Sequence, residues 1–181
     1  MTQTSTSTVA VSDERRMYIT FKMGDELFAI DVKYVREVID LSPIARVPTA
    51  PAHLRGVVNV RGKAVPVVDL RRKFGLLDRP PTVHSRILIL ELNVEHESYI
   101  VGGLADSVHD VIELSAKELA PPPRLASRWR SEVITGLAQR DAEFVMMLDV
   151  ERVFELDDLS ALQSASEASS MPLPAAGVQG G

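Results

Sequence analysis

From Met17 to Phe154 the chain alternates short apolar stretches with Gly, Pro, Asp or Asn punctuation, the rhythm of many short strands. The clearest unit is the stretch 54–75, LRGVVNVRGKAVPVVDLRRKFG. It predicts strands over 56–60 and 64–70, joined by a turn at Arg61-Gly62-Lys63 where Gly supplies a positive φ. Val57, Val58, Val60, Val65, Val67 and Val68 are β-branched, which favours strand over helix. Pro66 lacks an N–H and so belongs at an edge or bulge. Asp69 caps a short helical turn that Gly75 closes.

The flanking pattern follows the same logic. Residues 17–24 and 26–31 predict a hairpin turning at Gly24-Asp25. Val32, Val35, Val38 and Ile39 fit a short amphipathic helix starting at Asp31, with Glu37 on its exposed side. Residues 44–47 predict a short strand, and 48–53 a loop or single helical turn. The polar, proline-bearing 78–85 predicts a connection, followed by strands over 86–94 and 98–104 around a charged turn at 95–97. Gly102-Gly103 predicts a bend in the second of these, since it lacks the spacing and Lys of a phosphate loop. The prolines of 119–130 predict an extended polyproline spacer.

Two internal matches organise these elements. At an offset of 80, Gly56 falls on Gly136, Asp69 on Asp149 and Phe74 on Phe154. At an offset of 73, Val35, Val38 and Ile39 fall on Val108, Val111 and Ile112. The chain is thus a duplication with about five strands in each half. Residues in both copies read as structural: Gly56 and Gly136 as close backbone approaches, Asp69 and Asp149 as caps, Phe74 and Phe154 as equivalent core anchors. Asn59, Arg61 and Gly62 occur only in the first copy, where the second has Gln139, Asp141 and Ala142, so they are candidates for function. The predicted fold class is all-β, two small packed barrels with short helices.

Composition narrows the functional classes. At 181 residues and 45% hydrophobic, the chain can bury a full core. It has no cysteine, which excludes thiolate metal sites and cysteine nucleophiles and agrees with a reducing cytoplasm. The net charge of −5 lies mostly outside the body: 157–181 carries Asp157, Asp158 and Glu167 against no basic residue. A near-neutral body argues against bulk phosphate binding. Residues 1–16 are Thr/Ser-rich and read as a disordered tail, and 157–181, after one possible helical turn, as a flexible one. No signal peptide or membrane-length apolar run stands out, so the expected location is cytoplasmic. His53, His84, His96 and His109 show no metal-ligand spacing and are expected at surface or edge positions. No catalytic constellation, metal site or cofactor motif emerges. Trp129 among Arg124, Arg128 and Arg130 leaves a small-barrel nucleic-acid binder as a remote alternative.

Taken together, Val-x-Glu-Val at 35–38, Pro51 to Val57, Asn59-x-Arg61-Gly62, and Val65-Pro66-x-x-Asp69-Leu70-Arg71 before Phe74-Gly75 resemble the CheW family of bacterial chemotaxis coupling proteins. The resemblance spans about 17–156, with halves of about 17–77 and 86–156. One departure is Ala105-Asp106 where the family often has Val-Asp. The resemblance implies two intertwined five-stranded SH3-like barrels and a non-catalytic adaptor. It implies two partners, the regulatory domain of a CheA-type histidine kinase and the cytoplasmic tip of chemoreceptors, with the membrane reached only through the receptors. A CheW-like adaptor for surface motility or gene expression is the alternative output. The expected partner-binding residues are Val32, Val35, Glu37, Asn59, Arg61 and Gly62, with a Glu37–Arg61 ion pair fixing the junction. The competing reading makes Arg61 a solvated turn residue.

Overall fold

The computed structural model describes residues 14–48, 50–122 and 132–154, together with 159, 161, 162 and 164. The strands are β1 (Arg15–Met23), β2 (Glu26–Asp31), β3 (Val35–Asp40), β4 (Leu54–Val60), β5 (Lys63–Asp69), β6 (Arg86–Val94), β7 (Glu97–Ala105), β8 (Ser107–Ser115), β9 (Ile134–Arg140) and β10 (Glu143–Leu148). Two single-turn helices, α1 (Leu70–Lys73) and α2 (Val150–Val153), follow β5 and β10.

The strands form two five-stranded sheets ordered β8-β1-β2-β10-β9 and β3-β6-β7-β5-β4. The all-β class and the pair of SH3-like barrels hold. The sheets are not the sequence halves, however. β3 leaves its own half to pair with β6, and β8 crosses back to pair with β1. The parallel pairs β10–β2 and β5–β7 complete the exchange.

Burial follows this interlacing. Val58, Val65, Val67, Ile87, Ile89 and Leu104 fill one barrel. Ala29, Ile112, Ala138, Val145 and Met147 fill the other. The largest cluster lies between them and draws Phe21, Phe28, Leu88, Leu90, Leu92, Val153 and Phe154 from both sheets. β6 therefore buries both faces, Ile87 and Ile89 into its barrel and Leu88, Leu90 and Leu92 into the shared core. That is why its sequence is a nearly unbroken apolar run.

Several local expectations change. Val35–Asp40 is a strand, not a helix; only Val32–Tyr34 makes a helical turn, capped by Asp31 accepting from the Lys33 N–H at 2.9 Å. On this strand Val38 is exposed, whereas Val35, Glu37 and Ile39 share the more buried face. Arg15 and Arg16 extend β1 and pair with Ser115 and Leu114 instead of belonging to a tail. The predicted strand at 44–47 is reduced to one bridge, Ala45 with Val57. The β6–β7 turn is only Glu95-His96, both at positive φ. Gly102 and Gly103 lie in unbroken register with β6, and Ile87 and Leu70 occupy the space their side chains would need. His53 is partly buried, while His84, His96 and His109 are exposed. Pro66 sits in an interior strand, but the β5–β7 ladder begins only at Val67, so Pro66 has a single strand neighbour. Residues 1–13, most of the proline spacer, and Trp129 with its arginines lie outside the described residues.

The two aspartates of the repeat have matching capping roles. Asp69 accepts from the Arg71 and Arg72 N–H groups, and Asp149 from those of Glu151 and Arg152. Phe154 is 1% exposed, whereas Phe74 is only partly buried, so the two are not equivalent anchors.

One ion pair locks the halves together. The buried Arg71 guanidinium donates to the Leu77 carbonyl at 3.0 and 2.9 Å and to the Asp106 carboxylate. The same Asp106 oxygen accepts from the Gly24 N–H at 2.7 Å. Arg71→Met is expected to cost about 2–3 kcal/mol, less than a fully buried pair would, because Asp106 stays about a third exposed. Asp106→Asn keeps an acceptor for Gly24 and is expected to cost less. Urea melts of the two variants check this ordering.

Candidate functional site

The β4–β5 turn carries the candidate residues. Arg61 at φ 52° and Gly62 at φ 82° are both left-handed, as a two-residue type I′ connection requires. Asn59 Oδ1 accepts the Gly62 N–H at 2.8 Å and closes the turn. The Asn-x-x-Gly spacing is thereby given a conformational role. In the second copy Asp141 takes φ 54°. Asp and Asn tolerate that region best after Gly, and a long side chain such as Arg gains nothing from it.

Arg61 reaches across to β3. Its Nε lies 3.2 Å from Glu37 Oε1, and Nη2 donates to Oε2 at 3.3 Å, a forked contact. The Glu37 side chain is 30% exposed and that of Arg61 is 81% exposed, so the pair is anchored on the Glu37 side and open on the other. An ion pair this exposed contributes only ~0–1 kcal/mol.

Glu37, Arg61 and Gly62 stand at a cavity of about 500 Å³. Val60, Ala64, Val65, Ile100 and Val101 give it apolar walls, and Arg36 and Lys63 add positive charge at its edge. Val32 and Val35 do not line it; both are partly buried against the shared core. Asn59 does not line it either. The structure thus brings Glu37, Arg61 and Gly62 together and leaves Val32 and Val35 apart.

A second charged contact borders the cavity. Arg36 Nε lies 2.7 Å from Glu91 Oε2, and the Ser98 hydroxyl donates to Glu91 Oε1 at 3.0 Å. The Arg36 hydrogen bond, then that of Ser98, hold the Glu91 carboxyl below its ordinary value. The Tyr99 hydroxyl donates to Glu97 at 2.8 Å, and that bond raises the phenol above its usual value. The separation of Arg36 from Glu91 in sequence hid this pair. Leu159 and Leu162 also line the cavity and are 0% and 3% exposed. Within the stretch expected as a tail, the i, i+3 spacing of the two leucines is the one signal of a buried helical turn, and it gains meaning only from the core they enter.

The counterpart hairpin, β9–β10, offers a cavity of about 160 Å³ edged by Arg140, Asp141 and Glu143. There Lys22 pairs with Glu143 at 3.5 Å. Among the described residues no group of three or more His, Asp or Glu side chains could hold a metal ion. No described helix is long and apolar enough to cross a membrane.

Comparison with known proteins gives one answer. Residues 17–158 match the CheW-like domain model. The chemotaxis protein CheW of Treponema pallidum (strain Nichols) is 30% identical over 158 residues, spanning 85% of this chain and 91% of the relative. The chemotaxis protein CheW of Rhizobium meliloti (strain 1021) is 30% identical over 146 residues, spanning 81% and 92%. The crystal structure of the scaffolding protein TtCheW from Thermoanaerobacter tengcongensis superposes with a TM-score of 0.69 at 28% identity, covering 80% of this chain and 91% of that one.

Proposed function

We propose a function from one premise: this chain belongs to the CheW family, and is a non-catalytic chemotaxis scaffold. Its task is to couple chemoreceptors to a CheA-type histidine kinase from the cytoplasmic side. We assign the Arg61 end to the kinase's regulatory domain. An apolar cavity with Arg36, Arg61 and Lys63 at its edge suits a protruding apolar side chain flanked by carboxylates.

The observation that carries this reading is Arg61 itself. A long side chain at φ 52° costs the fold something, and the exposed pair with Glu37 returns little. What that arrangement does provide is an exposed guanidinium biased toward Glu37 at the edge of an apolar recess. Such a group suits recognition of a carboxylate or carbonyl.

Arg61→Ala and Glu37→Ala are the test. Thermal stability is expected to stay within ~0.5 kcal/mol of the parent for Arg61→Ala. In a reconstituted receptor–kinase assay, kinase activation is expected to fail. Full activation would reduce Arg61 to a solvated turn residue. Lost receptor binding with intact kinase binding would move the assignment to the receptor.

A further inference from the structure

The Arg61 cavity has a wall from beyond the family-matched stretch. Leu159 and Leu162 are helical, and their spacing places them on one face, while Ser164 is exposed. Both belong to the core between the barrels, with Val101 and Phe154. Both also line the cavity at whose edge Glu37 and Arg61 form their pair. The same two side chains thus join the shared core to the recess. Among the described residues no leucine of this kind lines the β9–β10 cavity, where Leu27 and Ile112 stand beside Thr20, Lys22 and His109.

We infer that Leu159 and Leu162 are positioning residues for the Arg61 cavity: their seating sets the shape of the recess and so the affinity of the partner that enters it. The affinity half of this statement rests on the adaptor reading above. Physically, a packed wall has few intermediate settings. Truncating Leu162 removes wall atoms facing the recess, and the walls supplied by β4, β5, β6 and β7 then lose support on that side. Leu162 is a positioning residue here; Arg61 and the apolar walls make the contact.

The experiment compares three variants of the full chain: Leu162→Ala, Leu162→Met and Val153→Ala. Val153 is 3% exposed in the same shared core but does not line the cavity, so it controls for lost core packing. Leu162→Met keeps the volume and acts as the rescue. Two readouts are taken at a temperature where every variant is folded. One is amide hydrogen exchange at residues 60–64 against 140–144. The other is the Kd for the purified regulatory domain of a CheA-type kinase.

Leu162→Ala is expected to speed exchange at 60–64 but not at 140–144, and to weaken the kinase domain by about tenfold, a coupling typical of side chains sharing one packed site. Leu162→Met is expected to stay near the parent in both. Val153→Ala is expected to lower the melting temperature without either local effect. If Leu162→Ala behaves like Val153→Ala in exchange and Kd, the inference is overturned while the adaptor reading stands. If the parent binds no kinase domain, the adaptor reading falls, and the exchange comparison alone then decides whether the two leucines position the recess.

Discussion

Gly56→Ala is expected to cost more than ~4 kcal/mol, most of the total stability at the low end of the usual ~5–15 kcal/mol range. Gly56 has φ 143°, a region L side chains rarely adopt. A Cβ there would stand 2.1 Å from the Ala45 carbonyl oxygen and 2.8 Å from its carbon. Both contacts are backbone, so no rotamer change relieves them. The segment they would displace is the one that bridges Val57, with N–H to O distances of 2.8 Å in both directions. The duplicate position gives the internal control. Gly136 has no positive φ, and its added Cβ would meet the Ala120 oxygen at 3.1 Å, a crowding that a small shift relieves. Gly136→Ala is therefore expected to cost about 1 kcal/mol or less, since the loss of unfolded-state entropy partly offsets the contact. Denaturant melts of the pair measure the difference. Equal costs would mean that the Ala45 approach does not govern Gly56.

Phe154→Ala is expected to cost ~3–5 kcal/mol, as full burial of a large aromatic predicts. Phe154 is 1% exposed and sits in the cluster that both sheets share with Val150, Val153 and Leu159. Its loss opens a void facing two barrels at once. Phe74 occupies the matching place after the first repeat but is only partly buried. It stacks on Phe28 with centroids 6.0 Å apart, and Phe28 in turn stacks on Phe21 at 5.9 Å. Phe74→Ala is accordingly expected to cost about 2 kcal/mol, from the lost stack and partial burial. Calorimetric melts of the two variants should separate by several degrees. Equal shifts would contradict the difference in burial.

Much of this architecture was legible because its causes are local. The β-branched runs around Arg61-Gly62 dictate a hairpin, and the capping Asp69 and Asp149 are side chains acting on their own next turns. The spacing of Val35, Val38 and Ile39 fits a 3.6-residue period, and only Val35 and Ile39 fit a period of 2.0, so the pattern alone points to a helix. β-branching favoured strand, but the deciding force is the ladder to Ile87, Leu88, Ile89 and Leu90, which no local window contains. The Arg71–Asp106 and Arg36–Glu91 pairs were hidden for the same reason. The candidate site divides likewise. Asn59, Arg61 and Gly62 stood out by comparing the chain with itself. Leu159 and Leu162 did not, since two leucines gain meaning only when the core they enter is known.

The exchange of β3 and β8 between the halves has a consequence for synthesis. When the first 77 residues have left the ribosome, neither sheet can be completed: β1 and β2 lack β8, β9 and β10, and β4 and β5 lack β6 and β7. β6 ends at Val94, so at about 5–20 residues per second roughly 1–3 s pass before β3 meets it, and β8, β9 and β10 follow later still. Phe21, Phe28 and Leu54, all later buried between the barrels, wait uncovered through that interval. An intertwined duplicate gains a shared core at the cost of a nascent first half that no half-length fold protects.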